Sequence, residues 1–120
     1  MNCLDTYALW EIQYQNTKFA DIINNPFIIT DWTLIEFYKT LLKEYDKKTA
    51  MYWVKQFLPH TREAKFEILV NAVDFQEENK GENLSLFDCV GYVFSLANNH
   101  TFVTGDKAFK NKKNVIFISK

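Results

Sequence analysis

Glycine and proline are scarce in this chain, three and two among 120 residues. No linker, repeat or low-complexity tract interrupts it, so one domain over residues 1–120 is expected. The two cysteines, Cys3 and Cys89, lie in apolar stretches without C-x-x-C spacing. That excludes a disulfide framework and leaves both as small buried hydrophobes. Two histidines, His60 and His100, lack H-x-x-H-type spacing, which argues against zinc. No apolar run approaches the roughly 18 residues of a membrane span. No basic, apolar leader opens the chain, and a reducing cytoplasm is the expected compartment. Excess charge is lacking too: 14 Lys+Arg oppose 15 Asp+Glu. Attraction of nucleic acid by bulk charge is therefore excluded, although local patches are not.

Apolar and aromatic side chains are plentiful, with 48% hydrophobic residues including 11 Phe. This composition excludes disorder and supplies a core. The periodicity alternates between strand-like and helical segments. Residues 1–4 and Phe27-Ile-Ile-Thr30 read as strands, as do Thr101-Phe-Val-Thr104 and Val115-Ile-Phe-Ile118. Helical spacing covers 6–24 as one or two helices, then 31–45, 48–58, 62–78 and 84–98. Leu34, Phe37, Tyr38, Leu41 and Leu42 form the apolar face of one, and Met51, Val54, Phe57 and Leu58 that of the next. Gly81 is expected to end the 62–78 helix in a left-handed cap, with a further break at Asn99. Short apolar strands separated by helices indicate an α/β fold with a mostly parallel sheet covered on both faces. Periodicity does not give the strand order.

Open parallel sheets place their sites beyond the carboxyl ends of the strands. Asp5 follows the first strand directly, and Asp106 lies two residues past Thr104. Glu36 and Asp88 lie near the starts of helices that enter from the same edge. Two carboxylates ~4 Å apart repel by about 4 kcal/mol at an effective dielectric of 20. Such a cluster takes up protons or holds a cation, and oxygen donors without His or Cys select Mg²⁺ or Mn²⁺. Each acid also has an ordinary structural reading. Thr33-Leu-Ile-Glu36 and Ser85-Leu-Phe-Asp88 both fit the capping box. Asp5 is open to reading as a solvated turn residue, and Asp106 as an Asx turn.

Together these residues resemble the PIN-domain ribonucleases, the family of the VapC-type toxins. An apolar strand leads into Asp5-Thr6, and Phe27-Ile-Ile-Thr-Asp-Trp-Thr-Leu-Ile-Glu36 has the layout of the second acid motif. Leu84-Ser-Leu-Phe-Asp88, an apolar helix, and Thr101-Phe-Val-Thr-Gly-Asp106 resemble the third and fourth. The resemblance implies a three-layer α/β/α fold and a Mg²⁺- or Mn²⁺-dependent endoribonuclease cutting single-stranded or loop RNA. It implies metal binding by Asp5, Glu36, Asp88 and Asp106, with Thr104 as the hydroxyl residue near the metal or its water. It also implies a protein antitoxin and a homodimer as partners. Tyr7 departs from the pattern, since the family often has a small polar residue there.

Lys107, Lys110, Lys112 and Lys113 follow the last acid and are candidates for phosphate contacts, or else a solvated loop. Lys39, Lys43, Lys47 and Lys48 read better as a solvated helix face. Trp10 with Tyr14, and Tyr52 with Trp53, are the aromatic pairs best suited to a protein interface. Two other functions compete with the nuclease. One is a catalytically silent PIN-like domain that docks RNA or protein. The other is a receiver-type domain whose acids accept a phosphoryl group.

Overall fold

The computed structural model describes residues 1–119. Asp5 interrupts the first strand, β1 (Asn2–Leu4), by capping the helix α1 (Thr6–Gln13). A 3₁₀ turn capped by Asn16 and a single helical turn, α2 (Ala20–Ile23), lead to β2 (Phe27–Thr30). Thr30 ends that strand and caps α3 (Asp31–Glu44), and Asp46 caps α4 (Lys47–Phe57). Pro59 turns the chain into β3 (Thr61–Arg62), which precedes α5 (Phe66–Glu78). Ser85 then caps α6 (Leu86–Ala97), and β4 (Thr101–Thr104) and β5 (Val115–Phe117) follow. Side-chain oxygens at these starts satisfy amide groups that the first helical turn leaves unpaired.

Among the described residues the sheet has five strands in the order β3-β2-β1-β4-β5, and every pairing is parallel. Parallel strands require crossovers, and the helices supply them. The order differs from the 2-1-3-4-5 arrangement of receiver-type domains, so the phospho-acceptor alternative loses its scaffold. With β1 central, Leu4 aligned with Val103 and Cys3 with Ile28, the ends of β1, β2 and β4 lie at one edge.

Strand alternation sends successive side chains to opposite faces. Leu4, Ile29 and Val103 pack with Leu9, Phe19, Phe37, Leu41 and Phe57 from the first half of the chain. Phe102 faces the other way and packs with Val90, Tyr92 and Phe109. Helix α6 lies so close to β4 that a β-carbon at Gly91 would stand 2.9 Å from Phe102 Cε1. Cys3 and Cys89 are buried and unbridged, as expected. Burial pushes their thiols up to about 12 and about 11. No helix among the described residues is long and apolar enough to cross a membrane.

Several local expectations need correction. Helix α5 starts at Phe66 rather than near Arg62, because the chain first adds Thr61 and Arg62 to the sheet beside Ile29 and Thr30. Gly81 does not take a left-handed conformation. It lies within the 3₁₀ turn Lys80–Glu82, and Asn83 turns the chain at φ 55°. The break expected near Asn99 is present, since α6 ends at Ala97, and Asn99 itself takes φ 57°. Leu42 and Leu58, assigned to the apolar faces of their helices, are 42% and 56% exposed.

Candidate active site

The first acid, Asp5, is 1% exposed. It cannot be a solvated turn residue. Its Oδ1 accepts from the Ala8 amide at 2.8 Å, capping α1, while Oδ2 accepts from the Thr104 hydroxyl. Thr104 in turn accepts from the Asp106 amide at 3.0 Å. One hydroxyl thus ties the end of β1 to the loop after β4. Asp106 Oδ1 accepts from Ala108 at 3.0 Å, the Asx turn anticipated for it.

Glu36 is not a capping residue. Thr30 caps α3 through a bond from the Thr33 amide, and Glu36 stands well inside that helix. Its Oε1 accepts from the Thr6 hydroxyl, a link between α3 and α1. Asp88 takes part in the cap of α6 through its amide, which donates to Ser85 Oγ at 3.1 Å. Its carboxylate is nevertheless turned toward the other acids. Asp5, Glu36, Asp88 and Asp106 line one pocket of 360 Å³, together with Thr6, Tyr7 and Thr40.

The acids feel one another. Burial, then the charges of Asp88 and Asp106, hold the Asp5 carboxyl well above the usual range against the opposing bonds from Thr104 and Ala8. Burial, then the charges of Glu36 and Asp106, push Asp88 up to about 7. Desolvation and like charge both disfavour ionisation, and here they act together. The donor set is all oxygen, four carboxylates with threonine hydroxyls behind them, and suits a hard divalent cation. Among the described residues no three His, Cys, Asp or Glu side chains already stand in a ligating arrangement.

Thr6 and Thr40 escape the sequence reading as site residues, and Tyr7 enters it only as a departure from the family pattern; all three line the pocket. Thr6 is legible only once Glu36 is known to face α1. Thr40 lies one helical turn beyond Glu36 and shares its face, donating to the Glu36 carbonyl at 3.0 Å. None of Lys107, Lys110, Lys112 and Lys113 lines the pocket. Lys112 is committed elsewhere: its Nζ lies 3.0 Å from Glu82 and 5.5 Å from the Phe75 ring. Lys110 lies over Phe117 at 5.4 Å, and Lys107 and Lys113 are exposed.

No family model and no curated protein matches this chain in sequence. Solved structures do match. A toxin–antitoxin complex from Klebsiella pneumoniae aligns with a TM-score of 0.76 at 16% identity, over 97% of this chain and 96% of that one. A DNA-bound VapBC from Salmonella typhimurium gives 0.77 at 16% identity, over 98% and 96%. The sarcin-ricin loop cleaving toxin VapC20 of Mycobacterium tuberculosis gives 0.75 at 12% identity, over 88% and 92%. Helices on both faces of an all-parallel sheet, in near-complete alignment with these structures, give this chain the PIN-domain fold of the VapC-type toxins.

Proposed function

We propose that this protein is a Mg²⁺- or Mn²⁺-dependent endoribonuclease that hydrolyses single-stranded or loop RNA in the cytoplasm as the toxin of a toxin–antitoxin pair. The observation that carries the proposal is the meeting of Asp5, Glu36, Asp88 and Asp106 in one pocket, with two of them driven toward the protonated form. The shared fold with toxins, one of them described as cleaving the sarcin-ricin loop, supports the reaction class.

Asp5 and Asp106 would be the innermost ligands, since they leave adjacent strand ends, and Glu36 and Asp88 would complete the set. When bound, the ion supplies an acidified water and neutralises charge on the scissile phosphate. Thr104 fixes Asp5 against the Asp106 backbone, and Thr6 fixes Glu36. These bonds orient the carboxylates before substrate arrives, which lowers the reorganisation needed during reaction. Lys107, Lys110 and Lys113 would contact flanking phosphates, while Lys112, paired with Glu82, would contribute less.

An antitoxin and a second copy of the chain are the proposed protein partners. Structural neighbours are toxin–antitoxin complexes. This chain offers an apolar groove of 220 Å³ between α3 and α4, lined by Leu34, Ile35, Tyr38, Met51 and Val54. Tyr14 and Tyr52 from the two aromatic pairs are 57% and 56% exposed. Trp10 is half-buried against Phe37 and Tyr45.

Labelled single-stranded RNA incubated with Mg²⁺ or Mn²⁺ should be cut by the native chain. EDTA or Asp5→Asn should abolish the cut. RNA retained uncut by both proteins would favour the silent binding domain, and no interaction at all would overturn the reading. Growth arrest on expression, relieved by an adjacent gene product, would identify the toxin role.

A further inference from the structure

We propose that Tyr7 positions the substrate, its ring stacking on the nucleobase beside the scissile phosphate; this rests on the nuclease reading above. Tyr7 is the sole aromatic residue lining the carboxylate pocket among the described residues; the other lining groups are acids and threonines. A wall of carboxylates repels an RNA strand. A neutral ring attracts any base through its face, whatever the charge nearby.

The ring is held in place by a gap in the sequence of side chains. Gly105 has no left-handed φ, so its backbone does not demand glycine. Space does. A β-carbon there would stand 2.0 Å from Tyr7 Cε1 and 2.4 Å from Cζ. The ring therefore packs directly on the loop between Thr104 and Asp106, which carries two site residues. On the core side it meets Phe19, with ring centroids 6.0 Å apart. Tyr7 remains half-buried, with surface left in the pocket. An aromatic group so fixed presents its surface to a ligand with little ordering cost. Duplex bases are already stacked on their neighbours, so such a wall selects unpaired nucleotides.

The test uses the full chain and a short single-stranded RNA carrying 2-aminopurine at each position around the cut. Native protein should quench the probe at one position adjacent to the cleaved bond. Tyr7→Leu, which keeps apolar bulk against Phe19, should lose the quench and raise KM about 10- to 100-fold. Its kcat should stay within about threefold, as loss of uniform binding predicts. Tyr7→Phe should restore most of the lost affinity and the quench. Gly105→Ala should reproduce the Tyr7→Leu defect by displacing the ring, and should add little in a Tyr7→Ala background, where the clash is gone. Equal KM and equal quenching in native protein and a folded Tyr7→Leu would overturn this inference while leaving the nuclease standing. A native chain that neither cuts nor binds RNA would overturn both.

Discussion

Replacing Asp88 with asparagine should make the protein more stable at neutral pH, although the residue opens a helix. Two effects compete. An acid in the first turn of α6 favours that helix by about 0.3–1 kcal/mol through the helix dipole. Against this, burial and the charges of Glu36 and Asp106 raise the Asp88 pKa from 3.8 to about 7. At about 1.4 kcal/mol per unit, that rise corresponds to a ceiling of about 4 kcal/mol of destabilisation once the group is ionised. The folded state holds the Asp88 proton more tightly than the unfolded chain does. Its contribution is therefore complete below about pH 4 and is lost as pH rises through about 7. Asparagine removes the charge but keeps a polar amide in the pocket, so a net gain of about 1–3 kcal/mol is expected at pH 8. The gain should vanish near pH 4. Urea unfolding followed by circular dichroism, in EDTA at pH 4.5 and 8, measures both. A variant less stable than native protein at pH 8, or a shift independent of pH, would mean that Asp88 is only a helix cap and would refute the reasoning.

Further outcomes follow from the same interactions. Thr104→Val removes the hydroxyl that Asp5 and the Asp106 amide share. It should cost about 1–3 kcal/mol by urea unfolding, because a buried polar partner is left unsatisfied, and should reduce RNA cleavage. Phe102→Ala empties a fully buried site under α6. A loss of about 3–5 kcal/mol in the same assay is expected, with cleavage unaffected in the protein that remains folded. Native protein in EDTA should melt at a lower temperature at pH 8 than at pH 5.5 through the raised Asp5 and Asp88 groups, and millimolar Mg²⁺ should restore the difference. An unchanged melting temperature on adding Mg²⁺ would count against a shared ion.

What could be read from sequence, and what could not, divides along the range of the interactions involved. Strands β1, β2, β4 and β5 are runs of apolar residues, and each was legible from its own composition. Strand β3 was not, since Thr61 and Arg62 carry no apolar signal and become a strand only by pairing with Ile29 and Thr30. The four acids are legible because Asp5 and Asp106 follow strand ends and Glu36 and Asp88 stand near helix starts. Their alternative readings, however, depended on partners distant in sequence. Thr33-x-x-Glu36 fits a capping box locally, yet Thr30 caps the helix and Glu36 reaches Thr6, thirty residues away. Lys112 looked like its lysine neighbours until Glu82 came beside it. Gly81 lost the left-handed turn to Asn83, a residue that also tolerates positive φ. The packing of Tyr7 on Gly105 was invisible for the same reason, because it joins residues from opposite ends of the chain.

A Mn²⁺ titration at pH 7.5, followed calorimetrically on native protein and on Asp5→Asn and Asp106→Asn, addresses the shared ion most directly. Saturable binding by the native chain, weakened at least tenfold in each variant, is the predicted result. Equal binding by all three proteins, or none by the native chain at millimolar Mn²⁺, would contradict it.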